Sequence, residues 1–207
     1  MTPRTLAKLT GISYLIIFFS AIYANFFVLE ALLNDPLGTI EQQGAAVRLG
    51  IVAFLLTVVF DVVVAWALYE LYKNHTLTRL STYFRMMHAA IMGVAIFALP
   101  LALNATTVDA VLGHIEVFNT IWLIGLFFFG IHLILLGKIL RQPKLIAVVL
   151  VIAGLMYMVD TVAHFVLPNY DSYADIFLAM VAIPSVVGEM SLAIWLLVKG
   201  GKYTQNS

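Results

Sequence analysis

Asp61, His88, His132, Asp160 and Glu189 stand inside long apolar runs of a 207-residue chain, and Arg85 lies three residues before His88. Carboxylates, imidazoles and guanidinium groups are costly to place in hydrocarbon, so they must face one another, water or a ligand inside a helical bundle. In that setting they could hold or pass a proton, bind an ion or small polar ligand, ligate a metal, or pin helices as buried ion pairs. His132, His88 and Glu189 are ligand types that suit zinc, manganese or non-haem iron, although no HExxH or ExxH spacing accompanies them. His88 and His132, on consecutive apolar runs, could also hold a haem. No cofactor is firmly implied. The absence of cysteine removes disulfides, thiolate nucleophiles and Cys-ligated metal centres.

Distance from the flanking basic residues sorts these groups by depth. His132 lies six residues before Lys138 and His88 nine after Arg79. Both therefore sit roughly 9 to 14 Å from one membrane boundary at a helical rise of about 1.5 Å per residue. Glu189 precedes Lys199 by ten residues and Asp61 precedes Lys73 by twelve, which is roughly 15 to 18 Å and near the middle of a ~30 Å core. This inner layer of His132, Glu189, His88, Asp61 and Arg85 is the candidate ligand or proton site. Arg85 can reach inward to Glu189 or Asp61, or snorkel outward to the headgroups.

An outer layer is expected from Asp160 and His164 at i,i+4, with Tyr157 one turn earlier on nearly the same face. Asn25, Glu30, His114 and Glu116 should share that depth and complete a vestibule, whereas Tyr170 and Tyr173 read as interfacial belt residues. Pro184, Ser185 and Gly188 predict a kink in the last apolar run beside Glu189. Phe127, Phe128 and Phe129 read as core or lipid-facing filling rather than a ligand cage. Ser185 lacks the flanking glycines of GxSxG, so Ser–His hydrolysis is not indicated.

The elements that must carry these residues follow from composition. With 63% hydrophobic and 11% charged residues and a mean hydropathy of +1.03, the chain falls outside the range of soluble globular domains. About 20 apolar residues cross a bilayer as a helix. That length divides the chain into six spans, roughly 9–33, 47–72, 80–104, 115–138, 144–167 and 175–199, forming one all-α transmembrane domain over 1–207. Short connections such as Asn34-Asp35-Pro36-Leu37-Gly38, Gln142-Pro143-Lys144 and Pro168-Asn169-Tyr170-Asp171 leave no room for a soluble domain between spans. The apolar run after Arg4 and Lys8 could be a signal peptide ending at Ala24, but it continues to Leu33, beyond the usual length of a signal h-region.

Basic residues set the expected orientation. Arg4, Lys8, Lys73, Arg79, Lys138, Arg141, Lys144, Lys199 and Lys202 fall on one side, and Asp35, Glu41, Asp109, Glu116, Asp171 and Asp175 on the other with Arg48 as the single basic exception. By the positive-inside rule both ends should be cytoplasmic. The charge segregation, with no basic tract, argues for an oriented membrane protein with no nucleic-acid partner.

The order of motifs resembles the family catalogued as domain of unknown function 4386. Its residues here are Arg48-Leu49-Gly50, Phe84-Arg85 with Gly93, Phe129-Gly130-Ile131-His132 with Leu136-Gly137, and Gly154-Leu155-Met156-Tyr157 with Asp160. Leu167-Pro168, Gly188-Glu189 and Trp195-Leu196-Leu197-Val198-Lys199-Gly200 complete the pattern over almost the full length. The resemblance implies a multi-span bacterial plasma-membrane protein and places Arg85, His132, Asp160 and Glu189 in family motifs. Asp61 and His88 have no assigned place in that pattern, and the resemblance brings no activity with it.

Three functional readings follow. The favoured one is an intramembrane polar site that binds or moves a proton, ion or small polar ligand. So few spans would serve as a carrier only with a large rearrangement or as a homo-oligomer. The second is a metal- or haem-dependent enzyme acting on a lipid or quinone. The third is a structural or regulatory membrane scaffold whose buried polar groups fix helix register.

Overall fold

The computed structural model describes residues 1–200. Lys202, counted above among the orienting charges, lies outside the described residues. Six helices are long and apolar enough to cross a membrane: α1 (Pro3–Asn34), α2 (Pro36–Tyr72), α3 (Thr78–Leu103), α4 (Val108–Ile139), α5 (Lys144–Val166) and α6 (Tyr170–Val198). Each packs against its neighbours in sequence, and α6 returns to α1, so the six close into a ring. This follows from antiparallel spans joined by short connections. Arg4 near the start of α1 fastens that closure by donating to the carbonyls of Leu196 (3.1 Å), Leu197 (2.5 Å) and Gly200 (2.9 Å). These are the carbonyls that a helix C-terminus leaves without intrahelical partners. The end of the bundle bearing this contact is called the terminal end below, and the opposite one the far end.

The six expected helices are present, several of them starting earlier than expected, and two local features stand out. The Asn34–Gly38 segment was expected as a loop, but α2 begins at Pro36. Asp35 caps it by accepting from the Gly38 amide at 3.2 Å, and proline is pre-organised for a first helical position. The helix then breaks once, at Gln43 (φ −125°, ψ 22°), before the apolar run proper. In α1 the far half is not a regular α-helix, because Tyr23–Leu29 is π-helical between α-helical Pro3–Ile22 and Glu30–Asn34. Within it Asn25 Nδ2 donates back to the Ala21 carbonyl at 2.9 Å.

Two hydrophobic cores divide the bundle. The terminal-end core takes residues from α1, α2, α4, α5 and α6, including Leu6, Leu68, Leu133, Leu150 and Leu192. The far-end core draws on α1 to α4 alone, through Val28, Phe54, Leu99, Ile115 and Phe118 among others. Glycines let α4 and α5 approach backbone to backbone. A Cβ at Gly130 would stand 2.6 Å from the Gly154 carbonyl oxygen, and one at Gly154 would collide with the Gly130 carbonyl. Close approach through small residues is the usual basis of helix association in lipid, where burial of apolar surface gives no driving force.

Candidate functional site

The polar groups of α3 lie on the inside of the bundle. Thr78, Ser81, Arg85, His88 and Met92 recur at intervals of three and four and are all buried, which puts them on one helical face. That face turns away from lipid because no other environment in the membrane satisfies a guanidinium and two hydroxyls. Arg85, fully buried, is its centre. Nη1 donates to the Tyr14 hydroxyl at 2.9 Å and lies 3.2 Å from His132 Nε2, while Nη2 donates to Asp61 Oδ1 at 2.5 Å. The guanidinium carbon stands 4.9 Å from the Tyr14 ring centroid and 5.2 Å from that of Phe129. Arg85 therefore pairs with Asp61 and does not snorkel. Side chains from three other helices, α1, α2 and α4, surround one cation.

The donors and acceptors fix the state of His132. A guanidinium only donates, so His132 Nε2 must accept and its hydrogen must sit on Nδ1. Nδ1 then donates to the Ser81 carbonyl at 3.0 Å, with Ser81 Oγ 2.9 Å from the same nitrogen. His132 is thus held as one tautomer by α3 on both sides of its ring.

His88 is placed differently. Its Nδ1 is 3.0 Å from the Gly125 carbonyl, and a carbonyl can only accept. Its Nε2 faces Asp61 Oδ2 at 3.5 Å. A neutral ring with its hydrogen on Nδ1 would present a lone pair to a carboxylate, so the contact is attractive only with a proton between the two. Gly125 makes this approach feasible: a Cβ there would already stand 3.4 Å from Nδ1 and 3.3 Å from Met92 Sδ.

Beside this cluster lies a cavity of about 180 Å³ to which all six helices contribute, lined by Asp61, Arg85, His88, Tyr157, Ser185 and Glu189 together with mainly apolar side chains. Glu189 is half-buried. Among the described residues the ion pairs are Lys73–Glu70, Arg85–Asp61 and His88–Asp61, so Glu189 has no salt-bridge partner. Arg85 Nε is buried without a hydrogen-bond partner. Pro184 lies inside the continuous helical stretch Ala174–Val198, one turn before Gly188 and Glu189, and Ser185 Oγ donates to the Val181 carbonyl at 2.7 Å.

The expected inner layer is therefore brought together as Asp61, Arg85, His88 and His132, with Glu189 lining the same cavity. The expected outer layer is not. Tyr157 lines the inner cavity, its ring centroid 5.6 Å from that of Phe129. His164 is exposed and packs edge-on against Tyr170 at 4.6 Å rather than bonding Asp160. Asp160 is buried and accepts from the Tyr170 hydroxyl at 2.6 Å, so a residue read as a belt aromatic is its partner. Glu30 and Glu116 are exposed. Asn25 bonds its own helix, and none of Asn25, Glu30, His114 and Glu116 lines the inner cavity.

The metal grouping of His132, His88 and Glu189 needs correction as well. The His132 Nε2 lone pair points at the Arg85 guanidinium, which a metal ion would have to displace from beside it. Among the described residues no three histidine or carboxylate side chains converge as ligands. A haem between His88 and His132 meets the same obstacle at His132 Nε2, and the Phe129 ring also packs on both imidazoles, at centroid distances of 4.7 and 5.8 Å.

Tyr14, Ser81, Phe129 and Tyr170 are the partners that the sequence reading did not select. Tyr14 continues a buried polar face of α1 with Thr10 and Ser13, and Ser81 lies four residues before Arg85, so helical spacing from a known polar residue was the available signal.

The model of the family described as Domain of unknown function (DUF4386) matches residues 9–200. The chain belongs to this family. Of the DUF4386 motif residues noted above, Arg85, His132, Tyr157 and Glu189 meet at one site, whereas Asp160 lies apart with Tyr170. The chain is also similar to a protein of Archaeoglobus fulgidus (strain ATCC 49558 / DSM 4304 / JCM 9628 / NBRC 100126 / VC-16) that bears the name "Uncharacterized protein". The two are 29% identical over 161 residues, covering 75% of this chain and 86% of that one. No solved structure matches the chain.

Proposed function

We propose that this DUF4386 protein is a plasma-membrane protein, both ends cytoplasmic, whose buried cluster binds and exchanges a proton and admits a small ion or polar ligand beside it. The observation that carries the reading is His88 held between the Gly125 carbonyl and the Asp61 carboxylate. That geometry calls for a proton on the Asp61 side of the ring. Charge balance supports it. Asp61 and Glu189 share the cavity lining with a single guanidinium, Arg85, and one proton on the pair of Asp61 and His88 makes the set neutral, as burial in a low-dielectric interior favours. Removal of that proton leaves one uncompensated negative charge, which a returning proton or an entering cation can neutralise. Glu189 lies on the cavity side, where such a species would arrive.

Nitrogen-15 NMR of histidine-labelled protein in lipid nanodiscs tests the state of the pair. The His88 resonance, assigned through His88→Gln, is expected to report hydrogens on both ring nitrogens at neutral pH. A His88 ring with bare Nε2 would sink the proposal. In proteoliposomes under an imposed proton gradient, Glu189→Gln is expected to lower proton flux at least severalfold, and flux equal to wild type would count decisively against exchange through this cavity.

A further inference from the structure

The two cores leave α6 unevenly held. From Tyr170 to Met180 no residue of α6 is buried, whereas Val181, Ser185, Gly188, Leu192, Ala193 and Leu196 follow as buried positions. No residue of α5 or α6 belongs to the far-end core. The π-helical part of α1 packs against α2 instead, and the closure of α6 on α1 is made at the terminal end by Arg4 and by Gly11, where a Cβ would meet the Leu197 side chain at 2.6 Å. The cavity lies where that closure ends. Phe18 and Ala21 of α1 and Val186 and Met190 of α6 line it from either side, and Val186 is 45% exposed.

We propose that the cavity is entered sideways from the lipid phase, between α1 and α6, and that its occupant is a protonated long-chain amine exchanging with the bound proton. The inference rests on the proton-binding reading above. Three observations select this chemistry. Glu189 is a carboxylate without a salt-bridge partner, and Asp61 already cancels the charge of Arg85. The walls near it include Phe18, Trp122 and Tyr157, whose ring faces attract cations, strongly so when water is excluded. The rim is apolar, so a hydrocarbon chain can rest between the helices while the ammonium reaches Glu189.

The charge and titratable groups around the cavity make this an exchange. They are Tyr14 from α1, Asp61 from α2, Arg85 and His88 from α3, Tyr157 from α5 and Glu189 from α6, with none from α4. With one proton the set is already neutral, so an added ammonium is accommodated when that proton leaves. The Arg85 guanidinium, its charge already cancelled by Asp61, offers no net attraction for an anion.

The test uses the full-length protein in lipid nanodiscs with three probes of equal chain length: dodecylamine, dodecanol and dodecanoate. Dodecylamine is expected to bind at least about tenfold more tightly than either of the others, a difference of ~1.4 kcal/mol, and to release close to one proton per molecule bound in weakly buffered solution. Equal binding of dodecanol, tighter binding of dodecanoate, or binding without proton release would overturn the proposal. Glu189→Gln is expected to lose the preference for the amine. Should that variant fold poorly, Glu189→Asp, which keeps the charge and shortens the reach, is expected to weaken the amine severalfold while leaving dodecanol unchanged; an unchanged amine affinity would refute the role of Glu189. The chain has no native cysteine, so F18C/V186C can be bridged with a bifunctional maleimide to close the entrance, with a slower on-rate expected for the amine. An unaltered on-rate after confirmed cross-linking would exclude lateral entry. If the amine fails to bind but His88 carries both ring hydrogens, this inference falls and the proton-binding reading stands.

Discussion

At the terminal end, side chains from five helices meet in one core, and Arg4 ties the last turn of α6 to the first turns of α1. At the far end the core belongs to α1–α4, and no residue of the corresponding stretch of α6 is fully buried. The same helix is therefore a structural wall at one end and a loosely held flank at the other. The polar cluster sits at the boundary between these regimes. Arg85, Asp61 and His132 are cross-linked by hydrogen bonds, whereas Glu189, which lines the same cavity as Arg85 and Asp61, has no salt-bridge partner among the described residues. A site that must hold charge and also admit a ligand needs both conditions, because a fully packed surround has no room and an open one cannot pre-organise the charges.

The largest effect should come from the cluster itself. Arg85→Ala removes the cation from a buried carboxylate and leaves Tyr14 and His132 without their shared donor, so a loss of about 3–5 kcal/mol is expected. The thermal midpoint of the purified protein in mild detergent, followed by circular dichroism, would measure it. A midpoint unchanged from wild type would mean that Asp61 is neutral or solvated, and the boundary cluster would then not be what joins the two halves.

Leu192→Ala, in the terminal-end core and fully buried, should cost about 2–5 kcal/mol through lost contacts and a residual cavity. Arg4→Ala should come next, at about 1–3 kcal/mol, because three carbonyls at the end of α6 lose a charged donor. Hydrogen exchange by mass spectrometry would show whether protection falls at both joined ends, residues near Arg4 and residues 192–200, as the closure argument requires. Leu178→Ala, 60% exposed on the far half of α6, should change stability by no more than about 0.5 kcal/mol. If Leu178→Ala proved as costly as Leu192→Ala, the far half of α6 would have a packing partner and the contrast drawn here would fail.

Much of this was legible in the residues. Six apolar runs fixed the number of spans, since each approaches the ~20 residues that a bilayer requires and their connections are short. Charges stranded in hydrocarbon marked Asp61, His88, His132 and Glu189, because such groups are kept inside the bundle. Helical spacing from Arg85 reached His88, and it would have reached Ser81 by the same rule. The layer assignments were less secure. Counting residues from a basic flank gives depth along one helix but no azimuth, so Tyr157 and Asp160, which are near in depth, could face different neighbours and do.

The sequence by itself determined that the chain is a helical membrane bundle with an interior polar layer, because composition and helix length are local properties that solvent alone interprets. Which polar groups meet was decided by the tertiary structure. Arg85 pairs with Asp61 rather than Glu189, His132 is turned into a hydrogen-bond acceptor by that guanidinium, and Asp160 finds Tyr170 rather than His164. Those choices depend on the rotation of each helix about its axis and on where Gly125, Gly130 and Gly154 let backbones approach. Both are set by packing between distant segments, which no single stretch of sequence contains.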